Sequence, residues 1–336
     1  MKSNSSTLLA VLSTLCVAGN ALVNPIVARA AAVPILNGAN FPDPAIIKTP
    51  SGWHFFSTNA KVDGKWVNVQ RAVTTDWKNF SLKRGLDALP KLPSWVDIHP
   101  RVWAPDVVRL EDGTYLMYYT AALKSHPRIH CLSYATAKKI TDPFIDTSTK
   151  PWLCPRVQGG AIDIAGFTDE HNDNRRYVVY KIDGNAFGNG GACGNTIPPI
   201  VPTPIMLQEV SKKDGVTFIG KPVHILTNIA SDGPYVEAPA LTYLNGKYTL
   251  FFSSNCYSGN KYDVQYATAS SITGPYKRQG QILRTGGTFG LQAPGGLDVA
   301  INGDHVIWHA KHNPTRPAYV GILSVGRDGK VLVRLS

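Results

Sequence analysis

One unit recurs along this chain of 336 residues, and a chain made of one recurring unit has few ways to fold. Residues 104–145 contain APDVVRLEDGTYLMYYTA and then LSYATAKKITDPFI, and residues 238–277 contain APALTYLNGKYTLFFSS and then VQYATASSITGPYK. Both give Ala-Pro, a short apolar run, a tight turn, an aromatic run, then Tyr-Ala-Thr-Ala and Ile-Thr-x-Pro-aromatic. The turns are Asp112-Gly113 and Asn245-Gly246, residue types that tolerate the positive φ of two-residue hairpins. Weaker copies begin at Pro44, Ile162 and Leu297. Each unit reads as a hairpin, a third strand and an outer fourth strand. A β-sandwich contains similar hairpins, but the long, regular spacing of whole units favours a radial arrangement. The expected fold is all-β, a five-bladed β-propeller forming a single domain.

Composition agrees with many short strands. Charged residues are 17% of the chain, below the ~25% usual for globular domains, which disfavours long charged helices. Gly (30), Pro (24) and Tyr (14) are plentiful, as tight turns and strands require. The net charge is +11. The densest basic pairs are Lys138-Lys139, Arg175-Arg176 and Lys212-Lys213, too scattered for a nucleic-acid footprint. No nucleic-acid partner is expected.

Residues 1–30 read as a secretory signal: Lys2, an apolar run from Leu8 to Val17, and Ala28-Arg29-Ala30 as a small-x-small cleavage site. Asn20 and Asn24 interrupt the apolar sequence short of the ~20 residues a membrane span needs. The expectation is a secreted, extracellular protein with no membrane partner, whose mature domain is 31–336. Removing the signal takes Cys16 and leaves Cys131, Cys154, Cys193 and Cys256. Four cysteines in an exported chain suggest two disulfides, with three connectivities open; Cys131–Cys154 with Cys193–Cys256 is the preferred set.

Acids stand near the start of several units: Asp43, Asp106, Asp163 and Glu237. In a propeller the innermost strands converge on the axis, so such acids meet at one end of the channel. Carboxylates gathered there shift one another's pKa, giving one acid that stays protonated and one that stays ionised. Glycosidic bond cleavage uses that combination.

These segments resemble glycoside hydrolase family 43. The motifs are NFPDPAIIKTPSGWHFFST, VWAPDVVRLEDGTYLMYYTA, AIDIAGF with RRYVVYKIDG, and EAPALTYLNGKYTLFFSSN, in order across the mature chain. The resemblance implies a five-bladed propeller that hydrolyses arabinans, arabinoxylans or xylo-oligosaccharides with inversion. It implies Asp43 as general base, Glu237 as general acid, and Asp163 as the acid that orients Glu237 and raises its pKa. α-L-Arabinofuranosidase or exo-acting arabinanase is the leading expectation, and β-xylosidase is the alternative. Larger β-xylosidases of the family carry a C-terminal β-sandwich, for which this chain has no room after the fifth unit. A non-catalytic sugar-binding propeller is the alternative of another class, and retention of all three acids argues against it. An invertase-type β-fructosidase would show Arg-Asp-Pro, which is absent.

Sugar pockets need aromatic platforms and hydroxyl partners. The candidates are Phe41, Trp103 and Phe187 as platforms, with Asp106 and Asn185 as polar lining. No cofactor is required. Family members hold a calcium or other cation in the channel through a histidine, which suggests His309, although Pro294-Gly295-Gly296 departs from the Pro-Gly-His of many arabinanases. The expected partner is a plant cell wall polysaccharide or oligosaccharide, bound by a monomer.

Overall fold

Strand formation follows the turn chemistry. Asp63-Gly64, Asn245-Gly246 and Gly113 all hold positive φ, as the hairpins they close demand. The computed structural model describes residues 31–99, 102–300 and 303–336; the segment 1–30, expected to be an export signal, lies outside them. Blade 1 contains β1 (Ala45–Thr49), β2 (Gly52–Ser57), a projecting hairpin of β3 (Ala60–Val62) and β4 (Lys65–Val67), then β5 (Gln70–Thr74) and β6 (Ser81–Leu82). Blade 2 has β7 (Trp103–Arg109), β8 (Tyr115–Leu123) and β9 (His126–Ala137). Blade 3 has β10 (Ala161–Asp169), β11 (Arg175–Ile182), β12 (Ile205–Val210) and β13 (Phe218–Leu226). Blade 4 has β14 (Val236–Leu244), β15 (Lys247–Ser254), β16 (Asp263–Ala269) and β17 (Lys277–Leu283). Blade 5 has β18 (Gly295–Val299), β19 (His305–His309), β20 (Ala318–Val325) and β21 (Val331–Leu335). Every blade is an antiparallel meander in sequence order, so the five-bladed propeller stands as expected.

Blade 2 differs in its outer edge, which is three-stranded. The Ile-Thr-Asp-Pro-Phe-Ile segment makes one bridge, Thr136 to Ile145. Pro143 has no N–H to give, and the N–H of Phe144 goes to Ala88 O (2.8 Å), tying the segment to blade 1 instead. The Phe144 ring is buried against Phe56.

Burial grades outward. All nine residues of β8 are buried, whereas seven of the nine in the outer strand β13 are exposed. Apolar clusters fill the spaces between blades, such as Phe251, Tyr266 and Trp308 between blades 4 and 5. Both preferred disulfides are present, Cys131–Cys154 and Cys193–Cys256. The ring closes where the Ile35 N–H donates to Ala318 O (2.9 Å) and the Phe41 N–H to Arg316 O (3.0 Å).

The innermost strands share one distortion. Asp43, Ala104, Asp163, Ala238 and Gly296 stand at the same place at the start of each blade, all with φ between 40° and 57°. In blades 2 to 5 the pairing register shifts around this residue, as at a β-bulge. The freed N–H is accepted by a side chain of the preceding blade: His309 Nδ1, Thr58 Oγ1, Thr120 Oγ1, Asp163 Oδ2 and Ser253 Oγ, at 2.9–3.1 Å. Each blade is thereby latched to the next. The starts of the innermost strands and the second-to-third-strand connections lie on one face, here the upper face. The first-to-second and third-to-fourth turns lie on the lower face.

Candidate active site

The bulge explains how carboxylates from separate blades meet. It turns Asp43 and Asp163 out of strand alternation toward the axis, and sets Glu237 one residue before its counterpart Ala238. A cavity of about 150 Å³ opens there, lined by Asp43, Thr58, Trp103, Asp163, Glu237, Tyr257, Tyr262 and Arg316, with Ile162.

Asp43 accepts a hydrogen bond from the Thr58 hydroxyl (2.7 Å, Oδ2), and the Arg316 guanidinium lies 3.3 Å from Oδ1. Burial alone would raise its pKa, but Arg316 and Thr58 outweigh burial and hold the carboxyl below its usual range. Asp43 is therefore the ionised acid. Asp163 is pushed the other way: burial raises it well above the ordinary value, and the neighbouring Glu237 charge adds to the effect. Its Oδ2 accepts the Ala238 N–H.

Glu237 is also raised, because burial outweighs its two donors. Tyr262 OH donates to Oε1 (2.8 Å) and Lys181 Nζ to Oε2 (3.1 Å). Lys181 has no solvent exposure and touches the site through Glu237. Its ammonium also pairs with Asp183 Oδ1 (3.1 Å) and lies 4.2 Å from the Tyr235 ring centroid. Burial would strip its proton; Asp183 and Glu237 keep it charged. The set thus holds one ionised carboxylate opposite a neighbouring pair that retains a proton to higher pH. Such a pair titrates as a unit.

The sequence matches the glycosyl hydrolases family 43 over residues 31–328. The chain belongs to that family. As a family 43 member the protein is a glycosidase, a hydrolase of glycosidic bonds. It is 27% identical over 286 residues to the extracellular endo-alpha-(1->5)-L-arabinanase 1 of Bacillus subtilis (strain 168), covering 80% of this chain and 79% of that one. It is 25% identical over 256 residues to the extracellular endo-alpha-(1->5)-L-arabinanase of Thermotoga petrophila, covering 70% of this chain and half of that longer protein. Its fold is similar to a thermostable family-43 glycoside hydrolase, with a TM-score of 0.70 at 22% identity over 88% of this chain and 93% of that one.

Other expected site residues of this family 43 enzyme fall differently. Trp103 lines the cavity, its ring stacked on His130 at 3.9 Å, and can serve as a platform. Phe41 cannot: it is fully buried among Ile35, Ile46 and Phe55, because its apolar neighbours pull it into the seam between blades 1 and 5. Asp106 does not share the position of Asp43 and Asp163. It stands two residues beyond the bulge, level with Asp298 of blade 5, and lines a narrower axial cavity of about 40 Å³ beneath the site. Its Oδ2 accepts the Gly166 N–H (2.6 Å), a latch to blade 3. Phe187 is half-exposed on an upper-face loop outside the cavity. Asn185 is also outside it, with Oδ1 buried and without a hydrogen-bond partner.

His309 is fully buried and does not fit a directly held cation. Its Nδ1 accepts the Asp43 N–H, so the ring proton sits on Nε2, which lies 3.5 Å from the Arg316 guanidinium. Burial and Arg316 hold its pKa down to about 3, so the ring is neutral. Two donors at that spot suit an acceptor and repel a metal ion. Among the described residues no group of three His, Cys, Asp or Glu side chains is placed to hold a metal.

Sequence reasoning missed Thr58, Lys181, Tyr257, Tyr262 and Arg316. All except Lys181 lie in second-to-third-strand connections, which vary from unit to unit. Lys181 had a readable signal: a lysine ending the apolar run Tyr177-Val-Val-Tyr180 and followed two residues later by Asp183.

Proposed function

We propose that the protein is a secreted, inverting hydrolase of α-1,5-linked arabinan from plant cell walls. The carrying observation is the opposed electrostatics of the acids: Asp43 held ionised, Asp163 and Glu237 both raised. Asp43 acts as general base on a water, Glu237 as general acid on the leaving oxygen, and Asp163 holds Glu237 in a protonated pair. Trp103 offers a face for sugar C–H groups, and Arg316 offers donors to ring hydroxyls while fixing the base. The relatives named above favour internal cleavage of arabinan over the exo-acting or arabinofuranosidase specificity expected from sequence. Removal of residues 1–30 on export is consistent with the paired cysteines and with relatives named extracellular.

Asp43→Ala and Glu237→Ala should each lower kcat on debranched arabinan by about 10³-fold or more with an unchanged circular dichroism spectrum. Proton NMR of the first-formed product should show the inverted anomer. Near-normal turnover in either variant, or a retained anomer, refutes the assigned roles. Arabino-oligosaccharides as early products support internal cleavage; arabinose alone refutes it. Release of xylose but no arabinose would establish the β-xylosidase reading instead. N-terminal sequencing of the secreted protein should begin near Ala31.

A further inference from the structure

Exposed charge is distributed unequally between the two faces of the propeller. On the upper face, Lys61, Lys65, Lys124 and Lys261 are exposed in the second-to-third-strand connections that frame the cavity, and Lys311 is half-exposed beside them. The exposed acid among those five connections is Asp63, already paired with Arg84 at 2.6 Å. The lower face is mixed. Its exposed acids include Asp76, Glu111, Asp112, Asp173 and Asp328, and two of them are neutralised locally by Lys212 (2.7 Å) and Lys330 (3.2 Å). The upper-face connections therefore carry five lysines against one exposed and already paired acid, whereas on the lower face exposed lysines such as Lys48, Lys138 and Lys247 are interspersed with acids.

The hairpin β3–β4 adds a shape to that field. Trp66 is 67% exposed at its edge, an unusual placement for the largest apolar side chain. Lys61 is the cross-strand partner of Trp66, with Nζ 5.6 Å from the ring centroid, whereas Lys65, paired with Val62, projects from the other side of the hairpin. An indole face takes the C–H face of a pyranose, and an ammonium at its margin takes a carboxylate. Both demands are met by one ligand, a uronic acid ring. Neutral arabinose would use the indole and leave the Lys61 ammonium without a partner.

We propose that the upper face docks an acidic, uronate-bearing polysaccharide, with Trp66 and Lys61 as its anchoring subsite and Lys65 adding positive charge from the other side of the same hairpin. Resting on the arabinan reading above, the arabinosyl chains that enter the cavity would be side chains of such a polymer. The polymer is held by its charged backbone while the cavity works on the neutral branch. Long-range attraction of this kind raises local substrate concentration and fades as salt shortens the Debye length to ~8 Å and below.

The test is affinity electrophoresis of the full protein in gels containing polygalacturonate, with debranched arabinan gels alongside. Polygalacturonate should retard the wild type at 20 mM NaCl and cease to do so at 300 mM. The triple variant Lys61→Glu, Lys65→Glu, Trp66→Ala should bind polygalacturonate at least about 10-fold more weakly. Its kcat/KM on a short, neutral α-1,5-linked arabino-oligosaccharide should stay within about two-fold of wild type, which also reports an intact fold. A lower-face control, Lys138→Glu with Lys139→Glu, should bind as the wild type does. The proposal is overturned if the wild type is not retarded, if the triple variant is retarded equally, or if the control loses as much, since net charge alone would then account for binding. Binding is read without turnover. Failure to cleave arabinan with polygalacturonate retention intact removes the enzymatic reading alone.

Discussion

Lys181 carries a full charge on a fully buried side chain. Its neighbours make that tenable: two carboxylates and an aromatic face surround one ammonium. A cation there favours the carboxylate form of Glu237, so it opposes burial and keeps the acid's pKa from rising further. Replacing Lys181 with Met removes that opposition. Glu237 then keeps its proton to higher pH, and the alkaline limb of the kcat/KM profile moves upward. The rate at the optimum should fall by about 10-fold or more, because the carboxyl loses the donor that orients it. Unpairing Asp183 should also cost about 3–5 kcal/mol of stability. An unmoved alkaline limb would show that Lys181 is a structural charge only. The sequence made the three acids legible because each sits in a short motif at a repeated place. Lys181 was less legible because its role depends on contacts with Glu237, 56 positions away. Phe41 was misread for the opposite reason: proximity to Asp43 in sequence says nothing about which way the bulge sends its neighbours.

Strand order was legible wherever a turn carried Asn, Asp or Gly at the required φ, and the five-fold repetition then fixed the topology. The connections on the upper face were not, since they range from residues 124–125 in blade 2 to residues 183–204 in blade 3 and carry no recurring motif. Two of them are joined covalently: Cys193, in the long connection of blade 3, is bonded to Cys256, in that of blade 4. The same junction sets Tyr257. Its N–H donates to Tyr235 OH (3.0 Å), and the Arg316 guanidinium lies 5.2 Å from its ring. Cys193→Ser with Cys256→Ser should therefore raise KM for arabinan several-fold with a smaller change in kcat, as the cavity wall loosens. Thermal stability should fall by about 2–4 kcal/mol, in line with the 63-residue loop that the bond closes. An unchanged KM would detach the disulfide from the site.

At the scale of the whole molecule, the axis is lined with buried carboxyls. Asp106 is raised to about 6 by burial, and Asp298 well above its usual value by burial and the charge of Asp106. A carboxyl whose folded pKa exceeds its unfolded value binds its proton more tightly when folded. Its contribution is fully present at low pH and is lost as pH rises through the folded pKa. Asp106→Asn keeps an acceptor for the Gly166 N–H but cannot ionise. The variant should be more stable than wild type at pH 8 by about 1–3 kcal/mol, with the difference vanishing near pH 4. Thermal melts at both values check this, and an equal difference at the two would refute it. The separation of faces has a practical reach as well. The candidate catalytic cavity opens on one side, while the tight turn at Asn245-Gly246 is on the other, with open space around Gly246. A fusion partner, a surface tether or a bead linker inserted at that turn would leave the working face pointing outward, so the propeller can be immobilised in a defined orientation.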